Sequence, residues 1–258
     1  MDDAAPPFRG VGVALATLFT DTLEVDTDAT AAHAARLVEA GVASVVVAGS
    51  TGEALSLTPA ERLTLLEAVR KRLGDDVCVL LGAGAAWSGP AAHLAAQAAG
   101  AGADGVLVLS PPRADDSRGY YARVVEAAGD LPVLAYHFPA MSAPGIALEH
   151  VASLPTAGMK DSSGDAERLL RERALVPGAL YAGSATVLVH AGAIGCEGAI
   201  LALANATPQW CIDAFAGDGA AQRDLVDAHL RAKSNFPAGL KTLMAERFGT
   251  GTAQRMAT

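Results

Sequence analysis

Pro132-Val133-Leu134-Ala135-Tyr136 and, further along, Ala157-Gly158-Met159-Lys160 are short apolar runs that each stop at one polar side chain. Runs of this length and character suit strands covered on both faces, as in a parallel sheet. Working outward from them, strand-like runs recur at 11–17, 43–48, 77–81, 105–109, 133–136, 158–160, 180–182 and 199–203. Helical patterns lie between them, at 28–40, 59–73, 90–99, 120–128, 165–176 and 186–193. This alternation is the mark of repeated βα units. Eight strands at this spacing predict the α/β class and a closed (β/α)8, or TIM, barrel over 8–204 rather than an open doubly wound sheet. After Ala204 the strand signal stops. Residues 205–258 read as a short C-terminal helical extension, with helices at 210–215 and 222–233.

Composition agrees with that class. The chain has 258 residues, 51% hydrophobic, 18% charged and only 5% aromatic, so a sizeable core must be built from Ala, Val and Leu. A net charge of −9 argues against a nucleic-acid surface, which needs clustered Lys and Arg. No stretch reaches the ~20 apolar residues of a membrane span, and the N-terminus has no basic region followed by an apolar run. The expectation is a soluble, cytoplasmic protein. Cys78, Cys196 and Cys211 match no metal or redox spacing, and His33, His93, His137, His150, His190 and His229 stand isolated, so no metal is expected.

A barrel of this type carries its chemistry at the C-terminal ends of its strands. Of four lysines, Lys71 lies at a helix C-terminus, and Lys233 and Lys241 lie in the helical tail, where solvated roles are expected. Lys160 alone closes an apolar strand. A lysine aimed into a barrel relieves its desolvation by losing its proton, and depression of its pKa to about 7–8 supplies the free amine a Schiff-base nucleophile needs. A rim salt bridge to Asp161 or Asp165 is the competing reading. Tyr136 ends the neighbouring strand, where a phenol can shuttle protons. Gly49-Ser50-Thr51-Gly52-Glu53 follows the second strand, and its converging N–H groups and hydroxyls can hold a carboxylate. Gly82-Ala83-Gly84 reads as a strand-end turn nearby.

Taken together, these segments resemble the dihydrodipicolinate synthase / N-acetylneuraminate lyase family of class I aldolases. The resemblance runs from about Phe8 to about Lys241. It is carried by Gly49–Ala54, by Tyr136-His-Phe-Pro-Ala-Met-Ser142, by Gly158-Met-Lys-Asp-Ser-Ser-Gly-Asp165 and by Asn235-Phe-Pro-Ala-Gly-Leu-Lys241. It implies that Lys160 forms the imine, that Tyr136 is the acid/base, and that Ser50 and Thr51 hold the keto-acid carboxylate. Gly49, Met141, Gly183 and Ile200 complete the expected substrate-binding set. It further implies a homo-oligomer, tetramer or dimer, with no cofactor beyond the imine and small-molecule partners, a 2-keto acid and an aldehyde.

The departures from the family pattern are specific. Met141 stands where dihydrodipicolinate synthases place a carboxylate-binding arginine. The loop Pro111-Pro-Arg-Ala-Asp-Asp-Ser117 lacks the family's Tyr-Tyr pair, with Tyr120 and Tyr121 close behind it, and the tail after Asn235 is short. Ala185, Thr186 and Ala202 replace the polyol-binding side chains of the sialic acid lyase branch. The leading expectation is a lyase or aldolase joining pyruvate to an aldehyde or cleaving a 2-keto-3-deoxy acid. Dihydrodipicolinate synthase itself is the alternative, and a non-catalytic keto-acid-binding member of the family is an alternative of another class.

Overall fold

Eight parallel strands pair in chain order, and the eighth pairs back with the first: β1 Gly10–Ala14, β2 Ser44–Val47, β3 Cys78–Gly82, β4 Gly105–Leu109, β5 Val133–His137, β6 Gly158–Asp161, β7 Ala179–Ala182 and β8 Gly198–Leu201. The structure is a computed structural model that describes residues 5–256. Closure leaves no sheet edge, so each strand residue faces either the barrel interior or the helical layer. On β2, Val46 points inward while Val45 and Val47 pack against the helices. The inner stack holds Phe8, Val46, Leu80, Leu134, Tyr181 and Ile200 among others. At its base the Phe8 ring stacks on Tyr181 at 4.6 Å, and the Tyr181 hydroxyl donates to the Phe8 carbonyl at 2.8 Å.

The outer layer is α1 Thr27–Glu39, α2 Pro59–Leu73, α3 Ser88–Ala98, α4 Arg118–Ala128, the single turn α5 Leu148–Val151, α6 Ala166–Leu175, α7 Leu188–Ala193 and α8 Pro208–Phe215. Their starts are fixed locally. Thr58 and Glu61 form a reciprocal capping box ahead of Pro59, and Asp26, Asp165 and Asp218 each cap a helix through a side-chain oxygen. Two further helices follow, α9 Gly219–Lys233 and α10 Ala238–Phe248. Leu225, Leu240 and Met244 join the same core as the barrel's outward-facing strand residues.

Three sequence expectations need adjustment. The first strand stops at Ala14 rather than Thr17, because the Asn205 amide takes over pairing there, donating to the Ala14 carbonyl and accepting from the Ala16 N–H. Helix α5 went unread because four residues carry no periodicity, and α10 was given no bounds within the extension read as helical because its face is broken by Gly239 and Lys241. Lys241 is also not a solvated tail residue. It is fully buried, its ammonium 2.6 Å from Glu53 Oε1 and 2.6 Å from the Ala253 carbonyl, with the Phe19 ring 4.6 Å away. Glu53 Oε2 in turn accepts the N–H groups of Arg255 and Met256.

Among the described residues no helix is long and apolar enough to cross a membrane, and no cluster of three or more His, Cys, Asp or Glu could hold a metal ion. The buried Glu53–Lys241 pair generates a stability prediction. Removing one partner strands the other charge out of water, so Lys241→Ala should lower the unfolding free energy by about 3–5 kcal/mol in urea titration. A loss below about 1 kcal/mol, the range of exposed pairs, would mean that water screens this one.

Candidate active site

A cavity of about 530 Å³ opens at the C-terminal ends of the strands. Lys160 and Tyr136 are register partners on β6 and β5, so both project inward at the same level. The Lys160 ammonium lies 4.2 Å from the centre of the Tyr136 ring, and the residue is 4% exposed. Neither Asp161 nor Asp165 pairs with it. Asp161 points into the helical layer, where it accepts from Ser163 and Arg168, and Asp165 caps α6. With no carboxylate beside it among the described residues, burial holds the Lys160 amine down at about 7. Near neutral pH about half of it is free base, against about one molecule in a few thousand for an ordinary lysine.

Gly183 is what makes room for that side chain. A Cβ there would come within 2.7 Å of Lys160 Cε, 2.0 Å of Ser162 Oγ and 2.8 Å of the Asp161 carbonyl. Because two of these atoms belong to the strand-end turn and one to the packed lysine stem, the site admits only glycine.

Tyr136 is 5% exposed, and burial pushes its phenol up to about 12, opposed by hydrogen bonds with the Ser162 and Ser50 hydroxyls. Ser162 Oγ stands 3.3 Å from the phenol oxygen, and the Phe138 ring stacks over Tyr136 at 5.8 Å. Behind the strand, the Tyr121 hydroxyl accepts from the Tyr136 N–H and donates to the Val108 carbonyl. Tyr120 bonds the Ala85 backbone, so neither Tyr120 nor Tyr121 reaches the cavity.

The loop after β2 arrives between two left-handed residues, Ala48 and Glu53, with φ of 52° and 57°. Thr17 Oγ1 pins it by donating to the Gly52 carbonyl, and Glu53 pins its far end to Lys241. Ser50 and Thr51 both line the cavity, and their N–H groups have no acceptor among the described residues. Two adjacent N–H groups beside two hydroxyls are donors of the kind a carboxylate can accept from.

The remaining expected residues fall into three groups. Met141 and Gly183 line the cavity. Gly49 lines a small adjoining recess of about 30 Å³ that shares Ser50, Tyr136 and Met141 with it and has Met256 on its wall. Ile200 is fully buried in the inner stack with Tyr136, and its neighbours Leu201 and Ala202 form the wall instead. Sequence reading missed Ser162, although it lies in the turn directly after Lys160. The helix read at 222–233 is present as α9, but its place was not foreseen: it brings His229, Ala232 and Lys233 to the opening. No local signal announces that position, because only the tertiary path of the tail carries α9 over the barrel.

Comparisons with known proteins agree with this geometry. The model of the dihydrodipicolinate synthetase family matches residues 7–244. A DapA-like lyase of Halobacterium salinarum is 34% identical over 241 residues, covering 90% of this chain and 79% of that protein. The 4-hydroxy-tetrahydrodipicolinate synthase 1 of Streptomyces coelicolor is 34% identical over 232 residues, covering 84% and 75%. Among solved structures, the dihydrodipicolinate synthase of Aquifex aeolicus superposes with a TM-score of 0.86 at 26% identity, covering 96% of this chain and 91% of that one. Fold and relatives together define an enzyme of the pyruvate-dependent class I aldolase type, a lyase. The chain belongs to the dihydrodipicolinate synthetase family.

Two outcomes check the electrostatics and the packing. With the Lys160 amine held at about 7, its labelling by an amine-selective reagent should rise as pH passes up through about 7 and level off above it; a rise only toward 10 would contradict the burial argument. Gly183→Ala should displace the lysine stem and lower that labelling by roughly five- to a hundredfold, since overpacking costs of order 1–3 kcal/mol. Unchanged labelling would show that the turn yields freely.

Proposed function

We propose that Lys160 attacks the C2 carbonyl of pyruvate to form an imine and that the resulting enamine adds to an aldehyde, or that the reverse cleavage of a 2-keto-3-deoxy acid runs through the same intermediate. The observation that carries this reading is the buried, unpaired Lys160 amine facing the Tyr136 phenol. In the forward direction the amine forms the new C–N bond, and the carbonyl oxygen leaves as water after taking up two protons. Tyr136 passes protons to and from that oxygen, with Ser162 and Ser50 on its phenol as the path to solvent. Ser50 and Thr51 hold the carboxylate, which fixes C2 against the amine. The covalent imine supplies the electron sink, so the reading assigns no separate cofactor. Met141 and Gly183 flank the bound keto acid, Gly49 supports the carboxylate loop, and Ile200 backs the site from the inner stack.

The second substrate meets a divided wall. Met141, Phe138, Leu201, Ala202 and Phe236 make it apolar on one side, while Ser184 and Thr186 on the other bond to each other at 2.8 Å. This favours short or weakly polar aldehydes. Condensation with aspartate semialdehyde, the synthase reaction, is the second reading. The names of the relatives support it, and Met141 opposes it, because a substrate carboxylate brought against a thioether loses water without gaining a partner.

In this reading residues 205–258 form an extension that completes the mouth of the 8–204 barrel, and the enzyme is a cytoplasmic homo-oligomer, dimer or tetramer. Leu55 and Trp87, 73% and 64% exposed, support an association surface near the β2 and β3 loops.

Borohydride with pyruvate should leave a stable adduct on Lys160, absent in Lys160→Ala with the fold intact; an adduct surviving in that variant would overturn the nucleophile. Tyr136→Phe should keep pyruvate binding while lowering kcat by roughly 10²–10⁴, and a loss under about tenfold would return Tyr136 to packing. An aldehyde panel separates the two substrate readings. If pyruvate and aspartate semialdehyde condensed at kcat/KM above about 10⁴ M⁻¹s⁻¹, the low end of ordinary enzymes, the synthase reading would win.

A further inference from the structure

On the outer faces of β5 and β6, immediately behind the two site residues, lies a buried charge cluster that the reaction above leaves unused: His137, Asp161, Arg168 and Glu172. Glu172 is fully buried, on the inward face of α6. Its Oε1 is 2.7 Å from Arg168 Nε, which makes it look like one half of an i, i+4 ion pair. That guanidinium is, however, shared with a second carboxyl. Arg168 Nε carries a single proton, and it is donated to Asp161 Oδ2 at 3.0 Å, while Nη2 donates to the Ile146 carbonyl at 2.7 Å. Both Glu172 oxygens are left without a donor among the described residues.

The two carboxyls are therefore unequal. Asp161 accepts three hydrogen bonds, from the Ser163 N–H, the Ser163 hydroxyl and Arg168, so the anion belongs there. Glu172 has at most a share of the Arg168 guanidinium, and it lies within hydrogen-bonding reach of Asp161. Two carboxylates sharing one guanidinium out of water is the arrangement in which one of them keeps its proton. Burial first, and the Asp161 charge second, push the Glu172 carboxyl up to about 9. His137 does not neutralise the pair, because its Nδ1 accepts the Ile146 N–H and burial lowers it to about 4. The remaining groups around the cluster are Cys196, held as the thiol by burial, and the Arg173–Glu197 pair entering β8.

We infer that Glu172 is carried as the neutral acid and donates its proton to Asp161, and that this acid–carboxylate pair is a positioning device for the active site. Asp161 fixes the turn through Ser163, and that turn holds Ser162 against the Tyr136 phenol. Loss of the Glu172 proton places a second negative charge against Asp161, and the turn that orients Ser162 is then no longer held by a balanced cluster. Glu172 touches neither substrate nor reacting atoms. The catalytic part of this inference rests on the proposed imine chemistry, whereas the protonation part does not.

The test uses the purified full chain in two independent measurements. Infrared difference spectra should show a neutral carboxylic acid band at pH 7 that fades as pH rises through about 9 and is missing in Glu172→Gln. In pH profiles of kcat with pyruvate and an active aldehyde, the wild type should lose activity through the same range. Glu172→Gln, whose amide also donates to Asp161, should keep the plateau rate and lose that alkaline limb. Glu172→Leu, which cannot donate, should lower kcat roughly tenfold, about the worth of one buried hydrogen bond, with the pyruvate KM little changed. Absence of the acid band at pH 7, an alkaline limb unmoved in Glu172→Gln, or equal losses in the Gln and Leu variants would each overturn the inference. Borohydride trapping of pyruvate in the same samples distinguishes failure of the imine reading from failure of this one.

Discussion

Everything at this site follows from the two-residue period of strands closed into a barrel. With no edge and no solvated face, each strand residue is assigned inward or outward, and its neighbours are assigned oppositely. Tyr136 and Lys160, being register partners, face the interior together, so His137 and Asp161 must face the helices together. A shift of one residue in either strand would place the lysine among helices and a carboxylate in the cavity. The same parity puts Val46 and Ile200 into the inner stack and sends Val45 and Val47 to the other face.

Two buried lysines in one small enzyme show how differently the same desolvation can be met. Lys241 stays at hydrogen-bonding distance from Glu53, which opposes the downward pull of burial on its pKa, and the pair ties the β2 loop to the tail. Lys160 has no such partner, and its proton affinity falls instead. The first arrangement preserves a charge and uses it for structure. The second gives up the charge and leaves a free amine.

The barrel and the lysine were legible because both leave short-range marks in the sequence: apolar runs of four or five residues, and a single lysine at the end of one. The resemblance supplied the rest of the expected site, and Met141 and Gly183 do line the cavity. What could not be read depends on contacts distant in sequence. Lys241 looks like any exposed helical lysine until Glu53 is brought beside it from the far side of the chain. Glu172 looks like half of an ordinary i, i+4 pair until Asp161 takes the only proton that Arg168 Nε can offer. Ile200 was read one layer too shallow, since a strand-end position gives no measure of depth.

The base of the barrel is stoppered by Phe8 on Tyr181. Lys160 therefore lies between that stopper and an opening bordered by α9. Anything occupying the outer part of that cavity stands between the amine and solvent. On the proposed chemistry this sets a kinetic order: the keto acid enters first and its expelled water escapes before an aldehyde follows, and in cleavage the aldehyde departs before water returns to hydrolyse the imine.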